Sequence, residues 1–128
     1  MTDVNELRLA LTVSDFDAAL ALYRDTLGLE QVADWSSAEG RVVLLNAGRA
    51  TLELFDVAQA SHVDGIEAGR RVSGQVRLAL DVPDSEAVAR KLVEAGAAEV
   101  APAVTTTWGD RNARVEFDGM QLTLFSSV

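Results

Sequence analysis

The chain predicts an α+β fold of two tandem βαβββ modules, whose curved mixed sheets surround a cleft. Repetition carries this reading. The tetrapeptide Arg8-Leu9-Ala10-Leu11 recurs as Arg77-Leu78-Ala79-Leu80. Its flanks recur with it, since Leu7 to Asp15 and Val76 to Asp84 agree at six of nine positions at an offset of 69. Leu52-Glu53-Leu54-Phe55 returns 70 residues later as Leu122-Thr123-Leu124-Phe125. A long internal period marks a duplicated structural unit.

The elements follow in order. Leu7, Leu9, Leu11 and Val13 alternate with Arg8, Ala10 and Thr12, the period of a half-buried strand. Ser14 or Asp15 can cap the helix that follows, in which Phe16, Ala19, Leu20, Tyr23 and Leu27 keep helical spacing until Gly28. Strands are expected at Val32 to Trp35, Arg41 to Leu45 and Thr51 to Phe55, the last two joined through Asn46-Ala47-Gly48. The second copy repeats the plan: a strand at Val76 to Val82, an Asp84-capped helix through Val88, Leu92 and Ala95, and a stop at Gly96. Then come a strand near Glu99 and Val100, one at Arg111 to Phe117, the Asp118-Gly119 turn, and one at Gln121 to Phe125. The expected organisation is one domain over 1–128, with modules at 6–56 and 75–126. A polar connector, 57–74, has room for a helical turn.

A four-stranded sheet with one helix has one face left uncovered. Strand parity assigns that face Arg8, Ala10, Thr12, Thr51, Glu53 and Phe55, and by the repeat Arg77, Ala79, Asp81, Gln121, Thr123 and Phe125. These residues are expected to line the concave side, where a ligand would sit.

Bulk properties narrow the function classes. Hydrophobic residues make up 48% of the chain, enough for a buried core. With no cysteine, disulfides, thiolate metal sites and a cysteine nucleophile are excluded. No apolar run approaches the ~20 residues of a membrane span. Twenty acidic against eleven basic residues give a net charge of −9, which repels nucleic acid. The polar start carries no secretion signal, so a cytoplasmic location is expected.

The openings Leu9-Ala10-Leu11-Thr12-Val13-Ser14-Asp15 and Leu20 to Tyr23, with Leu27-Gly28-Leu29, resemble the vicinal oxygen chelate superfamily. So do the Trp108-Gly109-Asp110-Arg111 loop and the closing stretch Phe117 to Phe125. That group includes glyoxalase I, extradiol dioxygenases, and fosfomycin- and bleomycin-resistance proteins. The resemblance implies a homodimer, and it also implies a divalent metal at four positions, here Arg8, Glu53, Arg77 and Thr123. Only Glu53 keeps the expected type. A guanidinium has no lone pair to offer and cannot lose its charge. The expectation is therefore no metal and no cofactor.

Two uses of these residues remain open, and they are compatible. Arg8 and Arg77 can hold an anionic group, with Glu53 orienting one of them or accepting a donor from the ligand. Alternatively Arg8–Glu53–Arg77 is a salt-bridged strut. Gln121 and Trp108 complete the expected ligand-binding set; Trp108 and Trp35 read equally as aromatic walls of the pocket or as core or interface residues. His62, the only histidine, reads as a surface residue, and Arg111 as paired with Asp110 to fix its loop. The favoured function is metal-free binding of a small molecule in the cleft. The alternative is an enzyme with a non-standard metal site or acid–base chemistry at Glu53. Because two arginines flank Glu53, its pKa is expected to be depressed, which favours binding.

Overall fold

Three helices begin where an aspartate closes the first turn. The Asp15 carboxylate accepts from Ala18 N–H at 3.0 Å, Asp56 from Gln59 N–H at 2.7 Å, and Asp84 from Ala87 N–H at 3.0 Å. The computed structural model describes residues 3–128. Met1 and Thr2, the first residues of the polar start, lie outside the described residues.

The first module comprises β1 (Glu6–Thr12), α1 (Phe16–Leu20), β2 (Glu30–Asp34), β3 (Val42–Ala47) and β4 (Ala50–Phe55). A π-helical segment, Ala21–Thr26, prolongs α1. The second comprises β5 (Val76–Asp81), α3 (Ser85–Glu94), β6 (Ala98–Thr105), β7 (Asp110–Phe117) and β8 (Met120–Ser127). Between them runs α2 (Val57–Ala68).

The strands make one curved open sheet in the order β2-β3-β4-β1-β5-β8-β7-β6. In each module the first and last strands pair in parallel, and an antiparallel β1–β5 seam joins the halves. In that seam Arg8 faces Ala79, Leu9 faces Leu78 and Ala10 faces Arg77. Exchanging the modules maps the first and third pairs onto each other and leaves Leu9–Leu78 in place. The pseudo-two-fold axis therefore passes through that leucine pair. The register also equates Glu53 with Thr123, because Ala10 faces Glu53 as Ala79 faces Thr123.

The outer faces hold two cores. Phe16, Ala19 and Leu20 pack with Leu9, Leu11, Val43, Leu45, Leu52 and Leu54. Val88, Ala89 and Leu92 of α3 do the same with Leu80, Val82, Val115, Leu122 and Leu124. These are the helix-facing sets that strand alternation predicts. At the hairpin tip Asp118 and Gly119 both take positive φ, 52° and 82°, as a two-residue type I′ turn requires.

Two elements exceed the expectation. The strand expected near Glu99 and Val100 extends to Thr105 as a sheet edge, where Pro102 withholds no hydrogen bond from an interior ladder. The connector holds a full helix of 12 residues rather than a turn. No apolar stripe announces α2, because its buried residues mix Ala60 and Val63 with Asp64 and Glu67. Its apolar pair packs on Val42 and Phe55 of the first module. Its acids reach the second module, where Arg114, fully buried, donates to Asp64 at 2.6 Å and to Glu67 at 2.9 Å. Asp64 also gathers the end of the connector, accepting from the Val72 and Ser73 N–H groups at 2.9 and 2.8 Å. Burial opposes the Asp64 carboxylate, but the Ser73 N–H and the Arg114 charge outweigh it and hold its pKa well below the ordinary range.

Among the described residues, no helix is long and apolar enough to cross a membrane.

Candidate ligand-binding cavity

The concave face encloses a cavity of about 450 Å³. Two parallel rows of residues cross the concave face and supply Glu53, Arg77, Thr123, Ala79 and Arg8 to the cavity lining. One runs Leu44–Glu53–Ala10–Arg77 over β3, β4, β1 and β5. The other, its pseudo-symmetric copy, runs Arg114–Thr123–Ala79–Arg8 over β7, β8, β5 and β1. Each row has an alanine between its polar members, so the middle of the sheet stays low and the longer side chains ring it.

Of the residues expected from sequence, Arg8, Glu53, Arg77, Thr123 and Trp108 all line this cavity, together with Trp35, Phe55, Ala79 and Phe125. Gln121 does not. It lies on the same face, but one pleat further toward the start of β8, under the connector, and its Nε2 donates to the Val72 carbonyl at 2.8 Å. His62 is not simply a surface group. Helix α2 turns it to the cavity wall, with Nδ1 3.8 Å from a Glu39 carboxylate oxygen. Arg111 pairs with Glu86 at 3.2 Å instead of Asp110, and Asp110 lines the cavity.

The strut expected between Arg8, Glu53 and Arg77 is half formed at most. Arg8 is gripped by Glu6 through two hydrogen bonds, at 2.9 and 3.2 Å, and Thr51 Oγ1 donates to that same Glu6 at 2.6 Å. Strand parity puts Glu6 beside Arg8 on one face, a partner the pattern offered but sequence reasoning passed over. The guanidinium lies between the Trp35 and Phe125 rings, 5.3 and 4.8 Å from their centroids, and reaches Glu53 only at 4.0 Å. Arg77 makes no ion pair among the described residues. It is 5% exposed, donates to Thr123 Oγ1 at 2.9 Å and stands 5.5 Å from the Phe55 ring centroid.

The electrostatics overturn one expectation. Glu53 has a raised pKa, since burial outweighs the attraction of Arg77 and Arg8. The arginines are too far away to replace the water the carboxylate has lost. Arg77 moves in the matching direction, its pKa lowered by burial and then by the nearby Arg114 charge. Asp110 is also pushed up by burial, against the pull of Arg8.

The metal centre implied by the resemblance does not fit these residues. Two guanidiniums and a threonine hydroxyl leave Glu53 as the one anionic donor of the four. Among the described residues, no group of three or more His, Cys, Asp or Glu side chains is arranged to hold a metal ion.

A profile of the glyoxalase/bleomycin resistance protein/dioxygenase superfamily matches residues 7–120. No curated protein matches the chain. Several solved structures share the fold. A hypothetical protein from Bacillus halodurans C-125 is 15% identical, with a TM-score of 0.69 over 99% of this chain and 95% of its own. The methylmalonyl-CoA epimerase of Mycobacterium tuberculosis is 23% identical, with a TM-score of 0.67 over 98% and 89%. A Streptomyces coelicolor methylmalonyl-CoA epimerase, in complex with 2-nitronate-propionyl-CoA, is 18% identical, with a TM-score of 0.68 over 98% and 96%. At these identities the likeness is one of fold.

Proposed function

The chain belongs to the glyoxalase/bleomycin resistance protein/dioxygenase superfamily, and we propose that this member binds a small organic anion in its cavity, with no divalent metal at the four inherited positions. Arg77 carries the reading. It is a buried cation whose one hydrogen bond among the described residues goes to a neutral hydroxyl. A buried charge without a partner is costly, and a ligand carboxylate or phosphate supplies that partner in forked geometry. Arg8 stands across the pseudo-two-fold axis as a second cation, already oriented by Glu6. Trp35 and Trp108 offer apolar walls of the kind found in small-molecule sites.

The test is a set of thermal melts with a panel of carboxylates and phosphate esters, since a ligand bound to the native state raises its apparent stability. Arg77→Met keeps the bulk and removes the charge. It should weaken anion binding by about 1.5–3 kcal/mol, the range for a hydrogen bond to a charged group. If no anion shifts the wild-type melt, the reading is wrong.

One observation favours a second reading, an acid–base enzyme. Glu53 is a buried carboxyl lining the cavity and accepting no hydrogen bond from the described residues, and its pKa is raised by burial, the direction a general base requires. The measurement is proton exchange with solvent deuterium at a bound carbon acid. No exchange in the wild type would reject the enzyme, and exchange that survives Glu53→Gln would reject Glu53 as its base.

A further inference from the structure

Glu53 and Arg77 stand in one row of the sheet, each paired in register with Ala10 between them. Two strand spacings separate their backbones, roughly 9–10 Å. Both side chains are buried, at 8% and 5% exposure, and both line the cavity. They do not meet as an ion pair among the described residues, and Ala10, the residue between them, contributes no side chain longer than a methyl.

Glu53 differs from the other buried carboxylate of the cavity. Both oxygens of Glu67 are engaged, one by Arg114 at 2.9 Å and one by Asn112 Nδ2 at 2.9 Å. Glu53 accepts no hydrogen bond from any described residue, and its nearest cation, Arg8 at 4.0 Å, lies beyond hydrogen-bond reach with its fork taken by Glu6. The row thus presents an open set of donors at one end and an open acceptor at the other. A simple anion satisfies one end and leaves the carboxylate facing added negative charge.

We propose that the ligand is bifunctional: an organic acid that also carries a hydroxyl or ammonium group, its anionic end held by Arg77 and its donor by Glu53. This rests on the anion-binding reading and names the class of acid within it. A donor that reaches Glu53 relieves the carboxylate and offsets the repulsion a plain acid would meet there.

The test compares acids of matched skeleton by calorimetric or thermal-shift titration. Propionate is set against lactate and β-alanine, and butyrate against 3-hydroxybutyrate and 4-aminobutyrate, so that the donor moves along the chain. At least one donor-bearing acid should bind about tenfold more tightly than its plain partner, as for one hydrogen bond to a charged group. Glu53→Leu should erase that advantage while plain acids still bind. Glu53→Gln, which keeps the shape of the side chain, should reduce the ammonium advantage more than the hydroxyl one. If plain acids bind wild type and no donor-bearing acid does better, the inference fails while the anion site stands. An advantage that persists in both Glu53 variants also overturns it, because the donor is then held elsewhere. If no acid binds at all, the anion reading fails first and takes the inference with it.

Discussion

The two modules occupy the same register and differ in where their charges are answered. In the first, Arg8 has Glu6 at hydrogen-bond distance and Glu53 at 4.0 Å. In the second, the equivalent Arg77 has the hydroxyl of Thr123, which stands where Glu53 stands in the first copy. One strand further out the pattern inverts. Leu44 faces Glu53, whereas Arg114 faces Thr123, and the carboxylates answering Arg114 come from α2. A duplicated sheet has thus been divided into a module that closes its own cation and one that keeps Arg77 open to the cavity. Symmetry of backbone has not imposed symmetry of charge, and on the anion-binding proposal it is the second half that would receive the anion.

Exchanging residues between equivalent positions breaks the comparison most directly. Arg114→Leu gives the second module the leucine of the first and leaves Asp64 and Glu67 in the interior without the guanidinium they share. Removing one partner of a buried ionic cluster costs about 3–5 kcal/mol, so urea denaturation should show the largest loss of stability here. Thr123→Glu gives Arg77 the carboxylate that Arg8 has. Melting in saturating anion should then show little shift, corresponding to about 1.5–3 kcal/mol of lost binding, with the fold intact in far-UV dichroism.

Glu53→Thr makes the opposite exchange and should have the smallest effect, about 1 kcal/mol of tighter binding for plain anions, from removal of a like charge screened by its surroundings. Its sharper sign is in pH. The folded-state pKa of Glu53 is raised, so its favourable contribution to folding is complete below the unfolded value and is lost as pH rises through the folded value. Anion binding should likewise tighten as pH falls through that window, since the added proton removes a negative charge from the cavity. Titrations at neutral and mildly acidic pH should show this tightening in the wild type and less of it in Glu53→Thr, where Asp110 supplies what remains.

Much of this was legible before any coordinates. The repeat marked the equivalent positions, and strand parity put Arg8, Glu53, Arg77 and Thr123 on the cavity face. What escaped was the part that breaks the repeat. Arg41-Val42-Val43-Leu44-Leu45 and Arg111-Asn112-Ala113-Arg114-Val115 are the same strand in the two copies, so Asn112 and Arg114 intrude where the first copy is apolar. Those two intrusions were the available sign that something polar packs over the second module. Helix α2 stayed hidden because it buries acids beside apolar residues, and periodicity looks only for the latter. The pKa of Glu53 was misjudged in direction because charge proximity is readable from register, whereas burial and a separation of 4.0 Å are not.

The self-mapped Leu9–Leu78 pair has a consequence for how the chain can exist at all. Either module alone would end in an open strand, β1 or β5, rich in leucine and with its backbone hydrogen-bonding groups unpaired. Such an edge is a template for pairing with any other copy. Joining both modules through residues 57–74 gives each edge its partner at the high effective concentration of a tether, so the pairing that would otherwise depend on a second molecule is settled within one.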